Sequence, residues 1–167
     1  MKSILLPTLL FLTAALTATA QISSIRMDVQ QRQKTDSKGK SNETKTQMRS
    51  LDITLQNLSR VNHDNLVVKY WFFTKSEKTG KTSVFKNGER KTSVAAGKTE
   101  TLASEQVNST YTDDHFDVTK SKGKNQSTSV KKVAGSGERI IGYGARLMDG
   151  EKVLQEVFSP QGLKEKL

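Results

Sequence analysis

From residue 22 onward the apolar positions of this chain recur every second residue, not every three to four. Ile25, Met27 and Val29 alternate with Arg26, Asp28 and Gln30, which predicts a strand with one buried face. Leu51, Ile53 and Leu55 alternate with Asp52, Thr54 and Gln56, predicting a second strand that ends near Asn57. Residues 66–73 are apolar on both faces and rich in β-branched and aromatic side chains, the composition of a central strand. Residues 32–47, rich in Lys, Ser and Thr with no apolar period, are expected to be a solvated loop or fraying strand ends. Residues 60–65 read as a turn.

Further along, Gly80 marks a turn within residues 75–81, and residues 82–86 are short and β-prone. Asn87-Gly88 is a two-residue hairpin signal leading into residues 91–94, and Ala96-Gly97-Lys98 turns the chain into residues 99–104. Tyr111, Phe116 and Val118 are expected to form one short strand, and residues 120–129 a mobile loop. Ile141, Tyr143, Ala145 and Leu147 alternate with Gly142, Gly144, Arg146 and Met148. Asp149-Gly150 then predicts a tight hairpin, with residues 152–158 returning as the partner and 163–167 left as a polar tail. About seven to nine short strands at this spacing, without a helix-length period, predict an all-β chain folded as a single antiparallel β-sandwich.

The first twenty residues change the picture of where this domain works. Lys2 precedes an uncharged apolar run from Ile4 to Leu16, followed by Ala18-Thr19-Ala20. That is the layout of a cleavable secretory signal, with cleavage expected between Ala20 and Gln21. The expected organisation is a signal peptide over 1–20, a β-sandwich over 21–162 and a tail over 163–167. A periplasmic or extracellular location follows. The sequence holds no cysteine, which leaves no lipid anchor, disulfide, thiolate metal site or thiol nucleophile. No later segment is apolar for the ~20 residues that a membrane helix requires.

Charge adds a second feature. Without Lys2 the 27 basic residues fall to 26 against 17 acidic ones, a surplus of nine. Residues 75–98 hold seven basic and two acidic side chains, and residues 120–132 five lysines and no acid. If these segments gathered at one end of the sandwich, they would attract polyanions in a salt-dependent way. The candidate contacts are Lys86, Arg90, Lys91, Lys120, Lys122, Lys124, Lys131 and Lys132. Solvated turns between strands account for the same lysines without a ligand, and edge lysines discourage aggregation. Aromatic residues that would stack nucleic-acid bases are not interleaved with them.

The strand Leu51-x-Ile53-x-Leu55, the aromatic strand Val68-x-Tyr70-x-Phe72 and the Tyr143-x-Ala145-x-Leu147 strand turning at Asp149-Gly150 together resemble an immunoglobulin-like or fibronectin type III-like β-sandwich. The resemblance spans most of residues 22–160, lacks the immunoglobulin cysteine pair, and implies a fold without implying a function.

The candidate chemistry is sparse. Asp113, His115 and Asp117 place donors at every second residue, as at the front of a calcium loop. The turn glycine and the closing glutamate of such a loop are missing, so an acidic loop offsetting nearby lysines is the plainer reading. Gly135-Ser136-Gly137 lacks the strand-elbow-helix setting of a hydrolase nucleophile. Trp71 and Phe73 lie on the strand face opposite Tyr70 and Phe72, and are either buried under a second layer or exposed as a partner patch. Sequons occur at Asn42, Asn57, Asn108 and Asn125. The reading that emerges is an exported, non-catalytic binding or structural module without a cofactor, whose partner is an envelope or extracellular protein or an anionic polymer. The alternatives are a polyanion-binding protein (acidic glycan, nucleic acid or anionic envelope polymer) using the lysine-rich loops, and a hydrolase with a carboxylate pair drawn from distant segments.

Overall fold

The computed structural model describes residues 24–38, 44–120 and 128–167. The expected signal peptide with its Ala20/Gln21 cleavage point, Lys122, Lys124, and the sequons at Asn42 and Asn125 lie outside the described residues, as does the side chain of Lys120. Ten strands are present among the described residues: β1 (Ile25–Lys38), β2 (Thr44–Asn57), β3 (His63–Ser76), β4 (Thr82–Val94), β5 (Thr99–Ala103), β6 (Val107–Thr112), β7 (His115–Lys120), β8 (Thr128–Val133), β9 (Ser136–Asp149) and β10 (Lys152–Ser159). A short 3-10 helix, Gln161–Lys166, follows them. No helix among the described residues is long and apolar enough to cross a membrane.

All the pairings are antiparallel, and the chain is an all-β sandwich. One layer is β1–β2, with β2 flanked on its other side by β6 along its first half and by β5 along its second. The other layer is β10–β9–β3–β4. The layers join at one corner, where Tyr111 and Thr112 of β6 pair with Gly137 and Ser136 of β9. The hairpin β7–β8 forms a separate two-stranded sheet.

The period-2 pattern produces the core directly. Ile25 and Met27 of β1, together with Leu51, Ile53 and Leu55 of β2, face Leu66, Val68, Tyr70 and Phe72 of β3 and Ala145 and Leu147 of β9. Each of these side chains is buried, and burial of one such group stabilises by about 1.5–3 kcal/mol relative to leaving it in water. The free edge of β1 is closed by a side chain of the other layer. Gln155 of β10 accepts from the Met27 N–H at 2.8 Å and donates to the Met27 carbonyl at 3.1 Å, so that its amide replaces a neighbouring strand.

Several sequence expectations need correcting. Asn87-Gly88 is not a turn: β4 runs unbroken from Thr82 to Val94, with Gly88 opposite Tyr70. A Cβ at Gly88 would overlap the Tyr70 phenol, so the glycine serves a close approach of ring to backbone. The polar stretch expected as a solvated loop or fraying strand ends over 32–47 is regular strand in residues 32–38 and 44–47, pairing from Arg32↔Ser50 out to Lys38↔Thr44. Its edge is held from the far side by β6, which supplies the hydrogen bonds that apolar burial does not. Tyr111 and Phe116 belong to different strands, β6 and β7.

The partner patch at Trp71 and Phe73 and the expected tail are corrected together. Phe73 is fully buried, in a second cluster with Phe158 and Leu163, and Trp71 is half-buried against it. The Trp71 and Phe158 rings stack with centroids 6.2 Å apart. Residues 158–163 lie across the outer face of β9 because Gly142 and Gly144 leave room there. A Cβ at Gly142 would meet Leu163 and Pro160, and one at Gly144 the Phe158 ring. The tail therefore covers a sheet face, and Leu163 belongs to the packed domain. The tight turn at Asp149-Gly150 is as expected, with Gly150 and Glu151 as the two loop residues and Gly150 at φ 57°.

Candidate functional site

The lysine-rich segments separate along the sandwich. Lys86, Arg90 and Lys91 lie on β4, which runs away from the β7–β8 hairpin, with Arg90 opposite Val68 and Lys91 opposite Val67. Lys86 is paired with Glu105 at 2.9 Å, and this hydrogen bond holds the Glu105 carboxyl below the usual carboxylate range. The Arg90 Nε donates to the Ala103 carbonyl at 3.5 Å. These two side chains bridge β4 to the other layer, and Lys91 is exposed.

The turn between β3 and β4 takes the opposite course. Its Glu77 N–H donates to the Gly137 carbonyl at 3.0 Å, and its carboxylate meets Arg139 at 2.7 Å. Both contacts press the turn against the start of β9, where the β7–β8 hairpin also joins. Lys75, Lys78 and Lys81 are thereby brought to the same end as Lys131 and Lys132 of β8. Lys132 is paired with Asp114 at 2.9 Å. Lys75, Lys78, Lys81 and Lys131 are exposed and have no carboxylate partner among the described residues.

Asp113 ties this end together. Its carboxylate accepts from Lys45 at 2.6 Å and from the Arg139 guanidinium, and both cations sit over the Tyr111 ring, Arg139 at 4.4 Å and Lys45 at 5.9 Å. The Lys45 hydrogen bond, with Arg139 adding to it, holds the Asp113 carboxyl below its ordinary value; the same bond raises Lys45. Asp114 is likewise lowered, by Lys132 and then by the Gly135 N–H at 2.6 Å. His115 turns Nδ1 to the Asp113 carbonyl at 3.2 Å and lies 3.6 Å from the Asp117 carboxylate. The trio Asp113, His115 and Asp117 is thus placed near one another, but with the Asp113 carboxylate occupied by two side-chain cations. No three His, Asp or Glu side chains among the described residues are grouped to hold a metal ion.

The β7–β8 hairpin stands out from this base. Phe116, Val118 and Val130 share one of its faces, since Phe116 pairs with Lys132 and Val118 with Val130. They are 66%, 57% and 59% exposed.

Two features were not legible in the sequence. Asn57 is 1% exposed; its amide donates to the carbonyls of Val61, Val94 and Ala95, and its oxygen accepts from the Ser59 N–H and hydroxyl. That use removes it as a glycan acceptor, whereas the sequon residue Asn108 is exposed. His63 Nε2 lies 3.0 Å from the Ser24 hydroxyl and 3.5 Å from that of Ser59, with no carboxylate among the described residues orienting the ring. The sequence gives no signal for that contact, because Ser24 lies just before β1, 39 positions from His63. The lysines of the 75–81 turn were counted in the basic run, but only the Glu77 contacts show which end they occupy.

No protein-family model matches this chain, and no curated protein matches it. Among solved structures, the X-ray structure of Northeast Structural Genomics Consortium target SoR45 is similar at a TM-score of 0.33 and 14% identity, over 81% of this chain and 85% of that one.

Proposed function

We propose that this chain is an exported, non-catalytic binding module for an anionic polymer of the cell envelope or its surroundings, engaged at the hairpin end of the sandwich. The observation that carries the reading is the gathering of Lys75, Lys78, Lys81 and Lys131 at that end, exposed and without carboxylate partners among the described residues. A cation already paired within the protein must exchange one partner for another, whereas an unpaired one releases the polymer's counterions at no such cost. By that criterion Lys86 and Lys132, both ion-paired, contribute less than their exposure suggests.

Retention on immobilised heparin across a salt gradient tests the reading. The variant Lys75→Glu/Lys78→Glu/Lys81→Glu/Lys131→Glu is expected to elute at much lower salt, its salt slope falling by about one for each lysine removed. Arg90→Glu/Lys91→Glu, on the far part of β4, is the comparison and is expected to elute near the unsubstituted protein. Equal losses in the two variants, or no retention of the unsubstituted protein at low salt, would overturn it.

A further inference from the structure

The outer face of the β3–β4 pair carries a cluster that the lysine-rich end does not use. Lys69 and Trp71 alternate with the buried Val68, Tyr70 and Phe72, so they point away from the core. Across the ladder Lys69 stands opposite Glu89 and Trp71 opposite Asn87, which puts four side chains on one face of two neighbouring strands. With Gly88 they line an open cavity of ≈ 330 Å³, large enough for a small-molecule group. Lys69 and Glu89 face each other without an ion pair, and the Asn87 amide enters no side-chain hydrogen bond among the described residues.

The indole is held from the side of β9 and β10. The Phe158 ring stacks on it with the planes 22° apart, and the Arg146 guanidinium lies 5.6 Å from its centre. Arg146 is fixed in turn by Glu156 at 3.2 Å. A ring fixed before binding loses little freedom when a ligand lies against it, and Trp71 is half-buried, not covered. Along the same face a second open cavity, ≈ 530 Å³, follows over Val67 and Lys91. From Trp71 to Asn65 the two cavities run over about 20 Å at the rise of a strand. Each is bordered by one acidic and one basic side chain, Glu89 with Lys69 and Asp64 with Lys91.

We propose that this face binds a linear, uncharged oligosaccharide, with one pyranose ring against Trp71. The apolar C–H face of a sugar packs on an aromatic surface, while each of its hydroxyls both donates and accepts. Lys69 donates, Glu89 accepts and Asn87 does both, a mixture that suits vicinal hydroxyls. An anion would meet the Glu89 carboxylate and a cation the Lys69 ammonium, so the balanced cavities select against ligands of either sign. Two cavities in succession are longer than one sugar ring needs, which favours an oligosaccharide over a single sugar. The site shares no residue with Lys75, Lys78, Lys81 and Lys131, so it stands or falls separately from the reading above.

Trp71 is the one tryptophan of the chain, so its emission reports the site directly. Maltohexaose, cellohexaose and chitohexaose are titrated separately into the protein. At least one is expected to give a saturable blue shift, with a dissociation constant on the order of 1 mM that is the same at low and high salt. Asn87→Ala or Glu89→Gln is expected to weaken binding about three- to tenfold, and Lys69→Ala/Asn87→Ala/Glu89→Ala to abolish it at an unchanged melting midpoint. These side chains are exposed, and their removal leaves the reporter ring in place. No saturable shift with any of these sugars up to about 10 mM, an undiminished shift in the triple variant, or a shift abolished by salt would overturn the proposal. Saturation by adenosine or a phenylalanyl peptide, with none by the sugars, would also overturn it and assign the ring to an aromatic ligand.

Discussion

The two ends of the sandwich are held by different physics. At one end Asn57, buried and neutral, satisfies carbonyls from both flanking turns. Those turns are stitched further by Leu58 N–H to the Ser24 carbonyl at 2.8 Å and Gly97 N–H to the Ser59 carbonyl at 3.1 Å. At the other end the ties run Lys45–Asp113–Arg139–Glu77, between side chains that are each partly open to water. Buried neutral hydrogen bonds are costly to break and indifferent to salt, while exposed ion pairs contribute little and are screened. One end is therefore built to stay closed. The other is held more weakly, and among the described residues it is there that lysines without carboxylate partners and an exposed hairpin face occur together.

The widest gap between the ends should appear in amide hydrogen exchange. An isolated two-stranded ribbon is marginal in water, so the amides of β7 and β8 should exchange at least about a thousandfold faster than those of β3 and β9. Comparable protection in the hairpin would show that it is packed more firmly than its exposed face implies. Next in size, Asn57→Ala leaves several buried carbonyls without a donor and should cost about 2–4 kcal/mol in urea unfolding, the same at low and high salt. A loss under about 1 kcal/mol would remove the distinction between the ends.

A smaller effect is expected at Asp113. Its folded carboxyl is held below the ordinary value, so its contribution is complete above about pH 4, where the unfolded group titrates, and is lost as pH falls through the folded value. Asp113→Asn should therefore cost less than about 1 kcal/mol at neutral pH. It should also flatten the decline in midpoint on acidification, and an unchanged acid limb would dismiss Asp113 as a tie. Smallest of all, Lys78→Glu should alter stability by no more than about 0.5 kcal/mol; a larger loss would mean that the free lysines serve the fold.

Much of the architecture was readable from alternation alone. The inward rows of β1, β2 and β3, the partner strands at Asp149-Gly150 and the central place of residues 66–73 follow from which side chains water rejects. The errors came where a residue answers to something distant in sequence. Asn87-Gly88 has the chemistry of a turn, but Gly88 is small because Tyr70 lies over it. The polar halves of β1 and β2 carry no apolar signal, since their pairing is secured by β6. Of the candidate site, the sequence supplied the number of lysines but neither their ion pairs nor the end they occupy.

The sequence by itself determined that this chain is all-β, since a period of two is a local property of each strand and survives whatever the strands pack against. It also determined the basic surplus and the lack of thiol chemistry. Only the tertiary structure decided that Phe73 is covered and that the Lys75–Lys81 turn is tied to the start of β9, at the hairpin end. Burial and charge compensation depend on which distant segments meet, and contacts between residues about 60–90 positions apart, such as Glu77 with Gly137 or Gln47 with Ile140, are not written in any local pattern.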